Sequence, residues 1–260
     1  MGDKTDAGAE PNKSPEHKND TYGDINARSE DDAGVQPTIP AATVILLRDR
    51  AGADTTEVLM LKKNSKITFG GMWVFPGGKI DAEDYAGGDD ADVAAVNAAV
   101  REAEEEANIQ LEGSDFVFLS HWTPPPGPQK RFATWFFLSA ADDLSDVVID
   151  DGEIKDHAWV SPSEALAQHG RGEIDLAPPT WVTLYHLSLY SPAAKALEYF
   201  NAVPAKVYQT RVGKMADGPR VAMWAGDAGY DSWEADVPGP RHRLVMAKDG
   251  FRFENDAEQY

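Results

Sequence analysis

Arg101-Glu102-Ala103-Glu104-Glu105-Glu106-Ala107-Asn108-Ile109, set behind Gly77-Gly78-Lys79-Ile80-Asp81-Ala82-Glu83-Asp84, decides how this 260-residue chain is read. Residues 92–107 are rich in Ala, Val and Glu and predict a helix, with Val93, Val96 and Val100 at helical spacing on one side. On such a helix, positions 102, 105 and 106 stand at i, i+3 and i+4, so three carboxylates leave one face within about one turn. Like charges there repel, and a hard divalent cation with oxygen ligands is the natural compensation. Arg101 lies four positions before Glu105, where its planar fork can orient a carboxylate. An isolated acidic helix segment is ordinarily a solvated face. Here it follows a glycine loop that itself follows a strand, and such a loop lets backbone approach a ligand closely.

Working toward the N-terminus, Met72-Trp73-Val74-Phe75 reads as a strand stopped by Pro76-Gly77-Gly78. Glu57-Val58-Leu59-Met60-Leu61-Lys62 and Ala42-Thr43-Val44-Ile45-Leu46-Leu47-Arg48 read as two more, joined as a hairpin. Before about Thr38, only Tyr22, Ile25 and Val35 offer bulky apolar surface, so residues 1–38 read as a disordered acidic tail. Toward the C-terminus, residues 116–122 and 131–139 form a strand pair across a proline-rich loop, and residues 158–160 a short strand. Ser161-Pro162 then starts a helix, and two further helices cover 180–189 and 191–200 with Thr180 and Ser191 as caps. Beyond Pro204, short apolar stretches between Gly and Pro predict strands packed as an extension of the main domain. The division is therefore 1–38, 39–204 and 205–260.

Composition limits the chemistry. There is no cysteine, which excludes disulfides, thiolate zinc sites and thiol nucleophiles. The net charge of −20 disfavours nucleic acid as a partner, and an anionic substrate would need a metal or an Arg/Lys pocket. The first residues lack the apolar run of a secretory signal, and no stretch of about 18 apolar residues occurs, so neither export nor a membrane is expected and the setting is read as cytoplasmic. The six histidines show no metal-ligand spacing.

Taken together, the glycine loop and the acidic helix resemble the Nudix hydrolase superfamily. Arg101-Glu102-Ala103-Glu104-Glu105-Glu106-Ala107-Asn108-Ile109 matches the second half of the family signature, and Phe75-Pro76-Gly77-Gly78 its usual entry. Asn108 stands where the signature has Gly, a mild change because Asn tolerates the left-handed cap. The spacing from Gly78 to Arg101 is 22 residues, nine longer than the signature, and Tyr85-Ala86-Gly87-Gly88-Asp89-Asp90 has the composition to absorb the excess. The first acidic position falls on Asp84 counted from Gly78 and on Glu83 counted from Gly77; Asp84 is favoured. An Asp there with a lengthened box resembles the coenzyme A diphosphatase branch, although Leu59-Met60-Leu61-Lys62-Lys63-Asn64-Ser65 lacks the Arg of that branch's preceding segment.

The resemblance implies an α/β fold, a Nudix-type α/β/α sandwich with a mixed central sheet, plus a C-terminal extension of short helices and strands. It implies hydrolysis of a diphosphate linkage in a nucleoside diphosphate derivative: coenzyme A or its esters, ADP-ribose or NADH. The cofactor is Mg2+, with Mn2+ as a substitute. By matching positions, Glu102, Glu105, Glu106 and the Gly77 carbonyl become metal ligands, and Glu102, Arg101 and Glu105 the catalytic set. Glu102 is the first candidate for general base, with Glu153 and Glu164 as distant ones. Gly78, Asp84, Lys62, Lys130, Arg131 and Trp122 are candidate substrate-binding residues. Lys63 and Lys66 are further basic residues near the presumed cleft, and Trp181 a second ring that could stack on a base, whereas Trp73, Trp135 and Trp159 sit in strand patterns and read as core. The partner is a small-molecule nucleotide, and the family's habit of pairing adds a homodimer. The alternative is a catalytically silent Nudix-fold nucleotide sensor or protein-interaction module, against which the intact Arg-Glu-x-x-Glu-Glu core argues.

Overall fold

Residues 41–47, every one buried, run through the middle of a long first strand whose two faces serve two different cores. Val44 and Leu46 pack on one side with Leu59 and Leu61, and Ile45 and Leu47 on the other with Val58 and Met60. Side chains alternate across a strand, so an unbroken apolar run marks a sheet covered on both faces. The computed structural model describes residues 36–258 other than 53, 54, 67, 87, 128, 129, 142–146, 151 and 217. The tail expected over 1–38 therefore lies outside the described residues up to 35, and the first strand begins at Thr38.

The main sheet holds β1 (Thr38–Asp49), β2 (Thr56–Lys63), β3 (Trp73–Val74), β4 (Gly77–Lys79), β5 (Val117–Thr123), β6 (Arg131–Ala140), β7 (Ile154–Val160) and β8 (Lys206–Gln209). Its order is β3-β2-β1-β6-β5-β8, with β4 paired to β1 and β7 to β2. The β1–β2 hairpin is antiparallel (Leu47 opposite Val58), whereas β1–β6 (Val44 opposite Phe137) and β5–β8 (His121 opposite Val207) are parallel, so the sheet is mixed. Gly77 and Gly78, expected in a loop, instead form a short strand against β1, opposite Thr43 and Ala42. The turn before them is tied down twice, as Val44 N–H and the Thr43 hydroxyl both donate to the Pro76 carbonyl at 3.0 and 2.6 Å.

One face of the sheet carries α1 (Ala91–Ala107); the other carries α2 (Pro162–Gly170), α3 (Pro178–Leu187) and α4 (Ala193–Ala202). This is an α/β/α sandwich. The buried stripe of α1 is Ala94, Ala95, Ala98, Ala99, Ala103 and Ala107, while Val93 is 52% exposed. Val96 and Val100, at helical spacing with Val93, are half-buried beside this stripe, and its methyl side chains let the helix lie close on the sheet. Asn108 takes the left-handed cap its place predicts, with φ 55°, and donates to Glu104 O at 2.9 Å. The caps of the two later helices move to Ala177 and Pro192 from the expected Thr180 and Ser191. At α3, Pro178 and Pro179 occupy the first turn, where a missing N–H costs nothing.

After β8 the chain builds a second, antiparallel sheet of β9 (Arg211–Lys214), β10 (Arg220–Met223), β11 (His242–Ala247) and β12 (Gly250–Asn255). Ala222, Trp224, Leu244 and Met246 join the same core cluster as Ile45 and Leu47, and Val221, Met223 and Val245 face a smaller cluster with Ala235. Among the described residues, no helix is long and apolar enough to cross a membrane.

Candidate active site

The site is set by the side of β2 on which a lysine falls. Leu59, Leu61 and Lys63 share one face of β2, and the leucines pack against α1. Lys63 consequently meets Glu106 of α1, its Nζ bonded to Oε1, while the Gly77 N–H donates to Oε2 at 3.0 Å. Both side chains are nearly buried, at 10% and 5% exposure. Burial alone would lower the Lys63 pKa, but the Glu106 carboxylate outweighs it and raises it. The expected substrate residue Lys62 points to the opposite face, its Nζ 6.0 Å from the Trp73 ring centre, and is not among the cleft residues. Lys63 takes that place in the cleft.

Arg101 is the second hub. Its five N–H groups reach Asp84 Oδ1 (3.0 Å) and Oδ2 (2.9 Å), Glu102 Oε1 (2.9 Å), Glu105 Oε2 (3.0 Å) and the Lys79 carbonyl (3.0 Å). Asp84 is 4% exposed. Burial pushes its carboxyl up, but the Arg101 hydrogen bonds and the Asp81 N–H prevail and hold it below the usual carboxylate range. Asp84 is therefore corrected from a substrate contact to a buried anchor for Arg101, and it lies outside the cleft lining. Glu102 is pressed against the glycine strand, so closely that a Cβ on Gly78 would overlap its carboxylate. Burial, with the Glu106 charge beside it, pushes the Glu102 carboxyl up to about 6 against the pull of Arg101.

These groups border a cleft of about 620 Å3. Its described lining includes six carboxylates (Asp81, Glu102, Glu105, Glu106, Asp150 and Glu153) against four cations (Lys63, Lys79, Arg101 and Lys130). The excess of hard oxygen donors fits a divalent cation in kind. The arrangement differs from three carboxylates gathered in one cage: among the described residues, no group of three or more His, Cys, Asp or Glu side chains is arranged to hold a metal ion. Arg101 holds Glu102 and Glu105, and Lys63 holds Glu106, because like carboxylates this close draw the chain's own cations between them. Glu105, 58% exposed, has the least to give up.

Gly77, Gly78, Arg101, Glu102, Glu105, Glu106, Lys130 and Trp122 all line the cleft. Arg131 does not. Its guanidinium donates to the carbonyls of Pro125, Pro124 and Gln36, which fixes the proline loop to the start of β1. Trp122 is 3% exposed with Tyr208 stacked on it at 3.6 Å, and so serves as wall rather than as an open stacking surface. Trp181 is likewise packed, 7% exposed and parallel to Tyr185 at 5.8 Å. Of the two distant acids, Glu153 reaches the cleft, 3.6 Å from Lys63 Nζ, and Glu164 is an exposed partner of Arg171. The Asp150 carboxylate accepts from the Glu153 and Ile154 N–H groups at 3.0 and 2.9 Å, and Asn64 Nδ2 donates to Gly152 O at 3.0 Å, so the Glu153 loop is fastened to the end of β2. Phe69, Phe132 and Thr210 also line the cleft and were not legible, since each comes from a loop or strand whose approach depends on the whole sheet.

Comparison with known proteins bears on this arrangement. The family described as NUDIX domain matches residues 37–179, which contain β1 through the start of α3 and every carboxylate of the cleft. A curated relative, "Putative nudix hydrolase 7" of Caenorhabditis elegans, is 29% identical over 181 residues, taking in 57% of this chain and 60% of the relative. The chain thus spans less than two thirds of the length of the curated relative it matches. Among solved structures, a NUDIX hydrolase from Alicyclobacillus acidocaldarius superposes with a TM-score of 0.58 at 23% identity, covering 65% of this chain and 99% of that one, a likeness of fold.

Proposed function

This chain belongs to the NUDIX domain family, and from that premise we propose that it hydrolyses a diphosphate linkage in a nucleoside diphosphate derivative with a divalent cation as cofactor. The observation that carries the proposal is the placement of the acidic helix on the glycine strand: Glu106 against the Gly77 N–H and Glu102 against Gly78. Glu102, Glu105, Glu106 and the Gly77 carbonyl would hold Mg2+, or Mn2+ in its place. Such an ion, when bound, neutralises phosphate charge and activates or orients water.

The chain's own residues do the rest. Arg101, itself anchored by Asp84, fixes where Glu102 and Glu105 stand beside the glycine strand, and a bound cation would have to draw those carboxylates from it. Lys63 and Lys130 bring positive charge to the phosphates in an otherwise acidic cleft. Glu102 and Glu153 both border the space where water would attack, and one of them accepts its proton; Glu164 is too remote. Gly78 leaves room for backbone approach. Coenzyme A and its esters, ADP-ribose and NADH form the substrate class, taken up by a cytoplasmic homodimer.

The test is turnover of those compounds with Mg2+ or Mn2+, products resolved by mass, before and after Glu105→Gln. The expected result is metal-dependent release of two phosphate-bearing products, lost in the variant with nucleotide binding retained. Nucleotide binding without turnover in the unaltered protein would instead support a silent sensor.

A further inference from the structure

The cleft has two unlike ends. Its acidic end lies at β4, β1 and the end of β2; Trp122 lies on β5, two strand spacings from β1 and therefore about 10 Å away across the sheet. The cleft lining also includes Pro178, Pro179, Phe136, Thr123, Thr180 and Thr210, apolar and hydroxyl-bearing residues suited to an uncharged group.

That end is closed from outside the 37–179 region. Tyr208 of β8 lies parallel on the Trp122 indole at 3.6 Å and 6°, and Trp224, just after β10, meets both rings edge-on at 5.5 and 5.3 Å. The Trp122 Nε1–H donates to Ser120 Oγ at 2.9 Å. Thr210 is fixed in the same way, its N–H donating to Thr123 O at 2.9 Å and its hydroxyl accepting from Trp224 Nε1 at 3.1 Å. Behind the pair, the described residues bound a second cavity of about 500 Å3, which Trp122 and Tyr208 both line. Trp122 therefore borders both cavities.

We propose that Tyr208 is a positioning residue: by stacking on Trp122 it holds that ring as the end wall of the cleft and so limits the size of the uncharged group carried on the far side of the diphosphate. This rests on the hydrolase reading and makes the C-terminal unit its specificity element. A parallel aromatic contact fixes ring orientation beyond what burial alone would. Loss of the Tyr208 ring lets the indole tip back toward the second cavity, and the cleft lengthens.

The experiment compares kcat/KM for ADP-ribose, coenzyme A and octanoyl-coenzyme A with Mg2+, a series of increasing outer-group size. The ratio of larger to smaller substrate does not depend on the folded fraction. Tyr208→Ala is expected to shift it toward the larger substrate by about tenfold, or to confer turnover on a larger member the unaltered protein rejects. Tyr208→Phe, which keeps the ring, should return the original ranking. Tyr208→Leu replaces the alanine variant if that one does not fold. An unchanged ratio, or loss of all turnover in folded Tyr208 variants, overturns the inference and leaves the hydrolase reading in place. An unaltered protein that turns over none of the three overturns both.

Discussion

Arg101 grips Asp84 through two parallel hydrogen bonds, Nε to Oδ1 at 3.0 Å and Nη2 to Oδ2 at 2.9 Å, across 17 residues of sequence that include the lengthened loop. The extra residues thus do not loosen the site; the pair bridges them. Arg101→Lys keeps the charge and loses the fork. It is expected to cost about 2 kcal/mol in urea denaturation and to lower turnover at least as much as Glu105→Gln, since both cleft carboxylates held by Arg101 are released. Stability and turnover equal to the unaltered protein would show the pair to be incidental.

Lys63 and Glu106 form a nearly buried ion pair, so removing the lysine strands a carboxylate. Lys63→Met should destabilise by about 3 kcal/mol. A cation that can sit against Glu106 should restore part of this. Added Mg2+ is therefore expected to raise the melting temperature of Lys63→Met more than that of the unaltered protein, and equal shifts in the two would place the ion elsewhere.

The two glycines fail differently when substituted. A Cβ on Gly77 overlaps the Ala42 carbonyl and Thr43 backbone, which cannot give way, whereas one on Gly78 overlaps the end of the Glu102 side chain, which can. Gly77→Ala should lower the melting temperature by several degrees, from roughly 1–2 kcal/mol of strain. Gly78→Ala should leave it nearly unchanged and reduce kcat by about a hundredfold through displacement of Glu102. Equal thermal losses would contradict the assignment of these contacts.

Acid sensitivity should arise in the C-terminal sheet. Asp227 accepts from Arg243 Nε and Nη2, both at 2.6 Å, and from the His242 and Gly229 N–H groups at 3.0 and 2.8 Å. Burial pushes its carboxyl up, but the Arg243 hydrogen bonds and the two N–H groups hold it below the usual range. A folded pKa below the unfolded one gives stability that is complete above the unfolded value, near 4, and is lost as pH falls through the folded one. Denaturant midpoints measured from pH 7 to pH 3 should decline below about pH 5. In Asp227→Asn they should be lower at pH 7 and decline less steeply, and parallel curves would remove Asp227 from the account.

Glu153→Gln should slow turnover, because the side chain borders the cleft beside Lys63, while Glu164→Gln should not, because its partner is Arg171 on an exposed helix. The kcat values decide it. A loss in the second variant and none in the first would reverse the placement.

Sequence alone determined what depends on local periodicity. The acidic turn of α1, the Asn108 cap and the apolar run of β1 were legible because helix and strand periods operate over a few residues and neighbours in sequence are neighbours in space. The hairpin followed from the same rules, and the α/β/α order from the family resemblance alone. Four assignments depended on distant partners and were decided only by tertiary structure. Lys63 replaced Lys62 because strand parity sends one lysine to α1 and the other to Trp73. Asp84 became an anchor because Arg101 reaches it across the loop, and Arg131 a clamp because the proline loop offers it three carbonyls with Gln36. Trp122 became a wall because β8 lays Tyr208, 86 residues later in the chain, on it. Which charges neutralise one another and which ring covers another are set by long-range packing, and no short-range pattern encodes it.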